Sequence, residues 1–245
     1  MPPEQGSDLL RYLAERGHAA GERLPPLQDL ATELGLSVGK LREQLEVARE
    51  LALVEVRPKT GIRTLGYSFT PAVWASLRFA LGLDPAHFEH FETLRNHVER
   101  SFFLEAVGLL QPEDKQHLQD LIARAWQRLR GEPVQIPHAE HRELHLTMYA
   151  RLQNPFVRGV LEAYWEAYES VGLDVYADYS FLHEVWTYHE AIVAAILRGE
   201  TEQARQLLIE HTALVVRRPR SPRPRPAAQP EPALRDPARA PTGVT

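Results

Sequence analysis

The chain has 245 residues, no cysteine, 44% hydrophobic residues and a formal net charge of −5, with a mean hydropathy of −0.34. That length and apolar content support one or two domains with true cores, while the lack of thiols excludes disulfides and thiolate metal sites. No apolar run reaches the roughly 18 residues a membrane span needs, and Met1-Pro2-Pro3-Glu4-Gln5-Gly6 lacks a basic-then-apolar leader pattern, so a cytoplasmic protein is expected.

Residues 7–16, SDLLRYLAER, predict a helix capped by Ser7, with Leu9, Leu10 and Leu13 inward and Gly17 as its stop. Two short amphipathic helices follow. In the first, over 26–34, apolar residues recur at Leu27, Leu30, Ala31 and Leu34, a period near 3.6. Gly35 ends it, because glycine enters the left-handed region without steric penalty. Ser37 can then cap a second helix over 38–50, which buries Leu41, Leu45 and Ala48 and leaves Lys40, Arg42 and Arg49 outside.

Two short strands, 53–56 and 62–65, flank the turn Pro58-Lys59-Thr60-Gly61. Helix, glycine turn, helix and cationic β-ribbon together fit a winged helix-turn-helix. Its second helix would enter the DNA major groove while the wing fixes register on phosphates. The candidate DNA contacts are Ser37, Lys40 and Arg42 on the helix, and Arg57, Lys59, Thr60 and Gly61 in the wing, where Arg63 adds charge. The alternative is a helical hairpin and ribbon used only for packing. Residues 1–68 hold 9 Lys+Arg against 10 Asp+Glu, so affinity for double-stranded DNA must rest on where the charges sit, and it should depend strongly on salt.

This stretch resembles the winged helix of the GntR family of transcription regulators. It keeps Gly21, Leu24, Pro25, Leu30, Ala31, Gly35, Ser37, Leu41, Arg42, Glu43, Leu45, Leu53, Val54 and Gly61 of that family's pattern over about the first 66 residues. It departs where DNA is touched, with Gln28 and Val38 in place of two arginines. Weaker phosphate anchoring or an altered operator is the expected consequence.

Gly66 and the run Ser68-Phe69-Thr70-Pro71 mark a link to a second region. From there the pattern predicts seven helices, near 71–81, 84–109, 112–130, 137–152, 155–173, 180–198 and 200–216. Asp84-Pro85, Gln111-Pro112, Gly131, Asn154-Pro155 and Gly199 set the boundaries. Short connections make neighbours antiparallel and the region an all-α bundle.

Four histidines of this bundle share a geometry. His141 and His145 are one turn apart on one helix and project from the same face. His189 lies 10 residues before Gly199 and His211 lies 12 after it, so a hairpin brings the two to a similar height. A three- or four-histidine metal site is geometrically reasonable, although 11 histidines make chance spacings easy. On the long helix from Asp84, Arg95 falls within an apolar stripe of Phe88, Phe91, Val98, Phe102 and Ala106, with Glu99 one turn on. That places either a structural Arg–Glu pair or a fork for a ligand carboxylate in the core.

The bundle resembles the FCD ligand-binding domain of the FadR subfamily of GntR regulators. The resemblance is carried by His141-Arg-Glu-Leu-His145 with Asn154, by HEAIVAAILRGETEQARQLLIEH with His189 and His211, and by Arg95-Asn-His-Val-Glu99. It implies a divalent metal on His141, His145, His189 and His211, and a small carboxylate effector held with Arg95 that alters DNA affinity. His141 replaces the usual aspartate, and an all-histidine set favours Zn, Ni or Cu over Mn. Tyr149, Tyr164, Trp165, Tyr168, Trp186 and Tyr188 are available as pocket walls.

The last 29 residues hold 8 prolines, 7 arginines and no aromatic residue. They are expected to be a disordered tail, either without a role or adding nonspecific DNA affinity. The full expectation is a mainly α protein. A winged helix-turn-helix at 1–68 would precede an all-helical metal, effector and dimerisation domain at 69–216 and the tail at 217–245. The chain would act as a homodimeric, metabolite-responsive repressor on a palindromic operator, and not as an enzyme. Two alternatives are a metal-dependent hydrolase using the histidines and a sensor whose DNA binding has decayed, as Gln28 and Val38 suggest.

Overall fold

The computed structural model describes residues 7–17, 19–170 and 179–216. The Pro/Arg-rich tail expected at 217–245 lies outside the described residues, as does the expected continuation of the fifth bundle helix to residue 173.

The chain opens with α1 (Asp8–Arg16), α2 (Leu27–Glu33) and α3 (Val38–Glu50), then β1 (Val54–Arg57) and β2 (Gly61–Thr64). Local chemistry sets each boundary. Ser7 Oγ accepts from Leu10 N at the start of α1, and Ser37 Oγ accepts from Lys40 N at the start of α3. Gly35, at φ 66°, turns the chain between α2 and α3. The strands pair antiparallel, Val54 opposite Thr64 and Arg57 opposite Gly61. Leu24 N donates to Ile62 O and Thr64 N to Glu22 O, so residues 22–24 line the other edge of β2. Leu9, Leu24, Leu30, Leu41, Leu45, Val54 and Ile62 form one core under this unit. In α1, Tyr12 is buried while Leu10 and Leu13 are only partly covered. Leu9 does face inward, but the expected face is rotated toward Tyr12, whose hydroxyl reaches Glu33.

Among the described residues seven helices follow: α4 (Thr70–Leu83), α5 (His87–Gly108), α6 (Pro112–Leu129), α7 (His138–Met148), α8 (Pro155–Ser170), α9 (Tyr179–Leu197) and α10 (Thr201–Val216). Gln111 and Asp114 form a capping box at α6, and Asn154 Oδ1 accepts from Phe156 N and Val157 N at α8. Gly199, at φ 76°, closes the α9–α10 hairpin. The main core gathers Phe103, Leu121, Leu144, Trp186, Ile192 and Leu208 from α5, α6, α7, α9 and α10. Where α8 crosses the start of α4, a Cβ on Gly159 would lie 2.7 Å from Phe69 Cβ and 2.9 Å from Thr70 N. Only a glycine lets the two backbones approach so closely.

The helix α5 departs from its expected pattern. Its buried face is Phe88, Glu92, Arg95, Asn96, Glu99, Phe103 and Ala106. Phe91, Val98 and Phe102 of the expected stripe are only partly covered. The middle of a core-facing helix is therefore polar, and its partners define the site.

Candidate metal centre

The i, i+4 spacing on α7 and the α9–α10 hairpin bring the four predicted histidines together. One ring nitrogen from each of His141, His145, His189 and His211 lies within 4.8 Å of the other three. The His189 and His211 rings, on either side of the Gly199 turn, are 4.4 Å apart between centroids. His145 Nε2 is 3.2 Å from His189 Nε2. His145, His189 and His211 are buried, and His141 is partly covered.

Arg95 and Glu99 stand behind His145. Arg95 Nη2 is 2.8 Å from Glu99 Oε1, so the predicted ion pair is formed. His145 Nδ1 lies 3.0 Å from the same Glu99 oxygen and 2.9 Å from Arg95 Nη2. Arg95 Nη1 donates to Asn96 Oδ1, while its Nε has no hydrogen-bond partner among the described residues. The guanidinium also packs on Tyr164, with Cζ 4.6 Å from the ring centroid. Tyr149, one of the proposed wall residues, instead donates its hydroxyl to Glu99 O at 3.0 Å. Trp165, Tyr168 and Trp186 surround His141, and Tyr188 lies 6.3 Å from the His211 ring.

Burial governs the electrostatics. It pushes His141, His145 and His189 well below the usual imidazole value, assisted by neighbouring rings or Arg95. It brings His211 to about 3, with His145 and Arg95 adding to the shift. Burial raises Glu99 to about 7 against the pull of Arg95. The four imidazoles are therefore neutral near pH 7 and offer lone pairs, the state a metal requires.

These residues fit a divalent cation on the structure's own terms. Four neutral nitrogen donors converge where no proton can be held at modest cost, and the buried Nδ1 atoms of His189 and His211 have no hydrogen-bond partner among the described residues. Nitrogens bound tetrahedrally to an ion at about 2.1 Å are about 3.4 Å apart, so the most separated rings must close by about an ångström to seat all four. In the tautomer that puts the His145 Nδ1 proton on Glu99, Nε2 is the free donor, the arrangement that orients a ligating imidazole.

The candidate DNA residues lie on a separate face. Lys40 and Arg42 are exposed on α3, with Lys40 Nζ 3.9 Å from Asp8. Ser37 spends its hydroxyl on the helix cap. In the wing, Lys59 takes φ 68°, Thr60 is exposed, and Gly61 at φ 79° packs against the Arg23 side chain. Arg57 pairs with Glu55 at 2.8 Å. Arg63 donates to Gly21 O and stitches the sheet, a local role the charge count does not show. Sequence reasoning also missed Glu92, buried on α5 with Tyr164 donating to it, and the Gly159 crossing. Neither carries a motif.

Residues 91–214 match the FCD domain family, just over half the chain and a span that holds Arg95, Glu99 and all four histidines. The fold is similar to that of a GntR protein from Streptococcus agalactiae, with TM-score 0.62 at 21% identity, over 84% of this chain and 94% of that one. E. coli McbR/YncC aligns at TM-score 0.44 and 22% identity, over 85% and 92% of the two chains. A GntR family member from Pseudomonas syringae aligns at TM-score 0.42 and 17% identity, over 88% and 87%. No curated protein matches the sequence. The chain belongs to the FCD domain family, and its winged helix followed by that domain has a fold similar to that of the Streptococcus agalactiae GntR protein.

Proposed function

We propose that the chain is a homodimeric transcriptional repressor whose hold on a palindromic operator is set by a small carboxylate at the histidine centre. The observation that carries this reading is the joining of a winged helix to a bundle whose buried centre pairs four neutral imidazoles with Arg95. His141, His145, His189 and His211 would hold the ion, and an all-nitrogen donor set selects Zn or Ni over Mn. When bound, the metal supplies a Lewis-acidic anchor for one carboxylate oxygen.

The chain's own groups do the rest. Arg95 directs its unspent Nε–H to the ligand's other oxygen, and Glu99 keeps Arg95 and His145 in place. Lys40 and Arg42 project from α3 toward base edges and phosphates. Lys59 and Thr60 present the wing to the backbone, where Gly61 lets the loop turn. The effector is coupled to the operator through helices with two arrangements, and the coupling is reciprocal: operator DNA weakens an effector that releases it.

The test is selection of genomic fragments by the metal-loaded, full-length protein near physiological salt, followed by retardation with a panel of carboxylates. The reading expects a specific duplex that one carboxylate class releases. Enrichment of no fragment above nonspecific DNA would make the chain a sensor without operator recognition.

A further inference from the structure

Helix α3 turns Gly39, Arg42, Glu43 and Glu46 outward along one line, at i, i+3, i+4 and i+7, while Leu41, Leu45 and Ala48 are buried behind them. Two of the four are acids, the wrong sign for a surface that meets phosphates. Glu46 is neutralised within the protein, held by Arg49 at 2.9 Å, as is Glu50 further along, which Arg78 meets at 3.4 Å. Glu43 has no hydrogen bond or ion pair among the described residues. Lys40, one turn before it, lies 3.9 Å from Asp8 instead.

Gly39 keeps the space in front of Glu43 clear. It needs no left-handed backbone, and a Cβ built on it would meet nothing closer than Ser37 Oγ at 3.9 Å. Neither a turn nor packing demands glycine here, at a helical position where it is among the least favourable residues. Side chains on a helix lean toward its N-terminus, so Glu43 lies over the turn that holds Gly39. The bare position leaves its carboxylate uncovered toward the end of α3, the end whose residues meet base edges in a helix-turn-helix.

Resting on the reading of the winged helix as the operator-binding unit, we infer that Glu43 is a specificity-determining residue. It accepts a hydrogen bond from the N4 amino group of a cytosine in the major groove of each half-site. Adenine offers an amino group beside an acceptor, whereas guanine and thymine turn only acceptors toward the protein. Against those acceptors the carboxylate stays unpaired among phosphates, so Glu43 acts chiefly by weakening binding to the wrong sequences. Arg42 beside it, exposed and also without a partner among the described residues, supplies the attraction.

The test is selection from a randomised duplex library by the full-length protein and by Glu43→Gln, followed by retardation on the selected duplex and on one of unrelated sequence. The native chain should select cytosine at one position of each half-site. Replacing it by guanine or thymine should weaken binding about 5- to 50-fold, and replacing it by adenine should weaken it less. These base changes are read on the unaltered chain, so they do not depend on the variant folding. Glu43→Gln should move the selected base toward adenine, whose N6 and N7 an amide matches. It should also bind the unrelated duplex about 3- to 10-fold more tightly at low salt, a gain that shrinks as salt is raised. A merely structural role for Glu43 would instead lower both affinities together.

An unchanged base preference in Glu43→Gln, whatever its affinity for unrelated DNA, overturns the proposal and leaves the operator reading standing. A native half-site without a cytosine preference does the same. Enrichment of no duplex by the native chain overturns the operator reading itself and the proposal with it.

Discussion

His145 Nδ1 lies 3.0 Å from the buried Glu99 carboxylate, so the opposite face of the imidazole is turned to His189, 3.2 Å away between Nε2 atoms. With the proton on Nδ1, the carboxylate orients the ring and raises the basicity of Nε2, the nitrogen that would meet a metal.

Glu99→Gln should therefore weaken metal binding by about 10- to 100-fold, because the neutral amide lacks the charge that raises the basicity of His145 and balances Arg95. Competition against a chelator of known affinity measures this. Unchanged affinity would mean that Glu99 serves Arg95 alone.

The crossing of α8 over α4 predicts a purely structural effect. Gly159→Ala places a methyl 2.7 Å from Phe69 Cβ, beside a backbone nitrogen that cannot move away cheaply. The expected destabilisation is about 1–3 kcal/mol, typical of overpacking. Denaturant unfolding should show a lower midpoint at similar slope, and a wild-type midpoint would show that α4 gives way freely.

Much of this was legible in the sequence, for physical reasons that differ by residue. Ser37 and Gly35 act within one turn of chain, so their capping and turning roles need no tertiary knowledge. His141 and His145 share a helix face by spacing alone, and the Gly199 hairpin sets His189 beside His211 by similar distances along two helices. The face of α5 was not legible in the same way. Ranking by apolarity favours Phe91, Val98 and Phe102, whereas the bundle buries Glu92, Arg95, Asn96 and Glu99 because they satisfy one another and the histidines. Trp165, Tyr149 and Gly159 owe their roles to contacts made far along the chain, which no local pattern encodes.

Asp114 supplies a pH-dependent prediction. Its carboxylate accepts from Arg151 Nε at 2.8 Å, from Arg151 Nη2 at 3.0 Å and from Gln111 N at 2.9 Å. The Arg151 hydrogen bonds, aided by the capping contact, hold it below its ordinary value of 3.8. Below that ordinary value the unfolded chain binds the proton before the folded one does. The stabilisation is therefore whole above it and is lost as pH falls through the lower folded value. Asp114→Asn should cost about 1 kcal/mol at neutral pH. At acid pH, below the lowered folded value, it should cost little. Equal cost at both pH values would show that the charge contributes nothing.

On the DNA face, exposed Arg42 and Lys59 should behave differently. Arg42→Ala should cost about 1–3 kcal/mol and relax the sequence preference if the guanidinium reads a base edge. Lys59→Ala should weaken binding uniformly and reduce the salt slope by about one. Retardation at several salt concentrations separates the two. Unchanged operator affinity in Arg42→Ala would count against the docking of α3.

The most direct test of the histidine centre is the metal content of purified, tag-free, full-length protein beside His189→Ala, His211→Ala, with folding of both checked by circular dichroism. Near-stoichiometric zinc or nickel in the native chain, lost in the double variant, is the predicted result. Equal metal in both, or none in either after controlled reloading, would leave the four buried histidines as packing groups and contradict the sensor site.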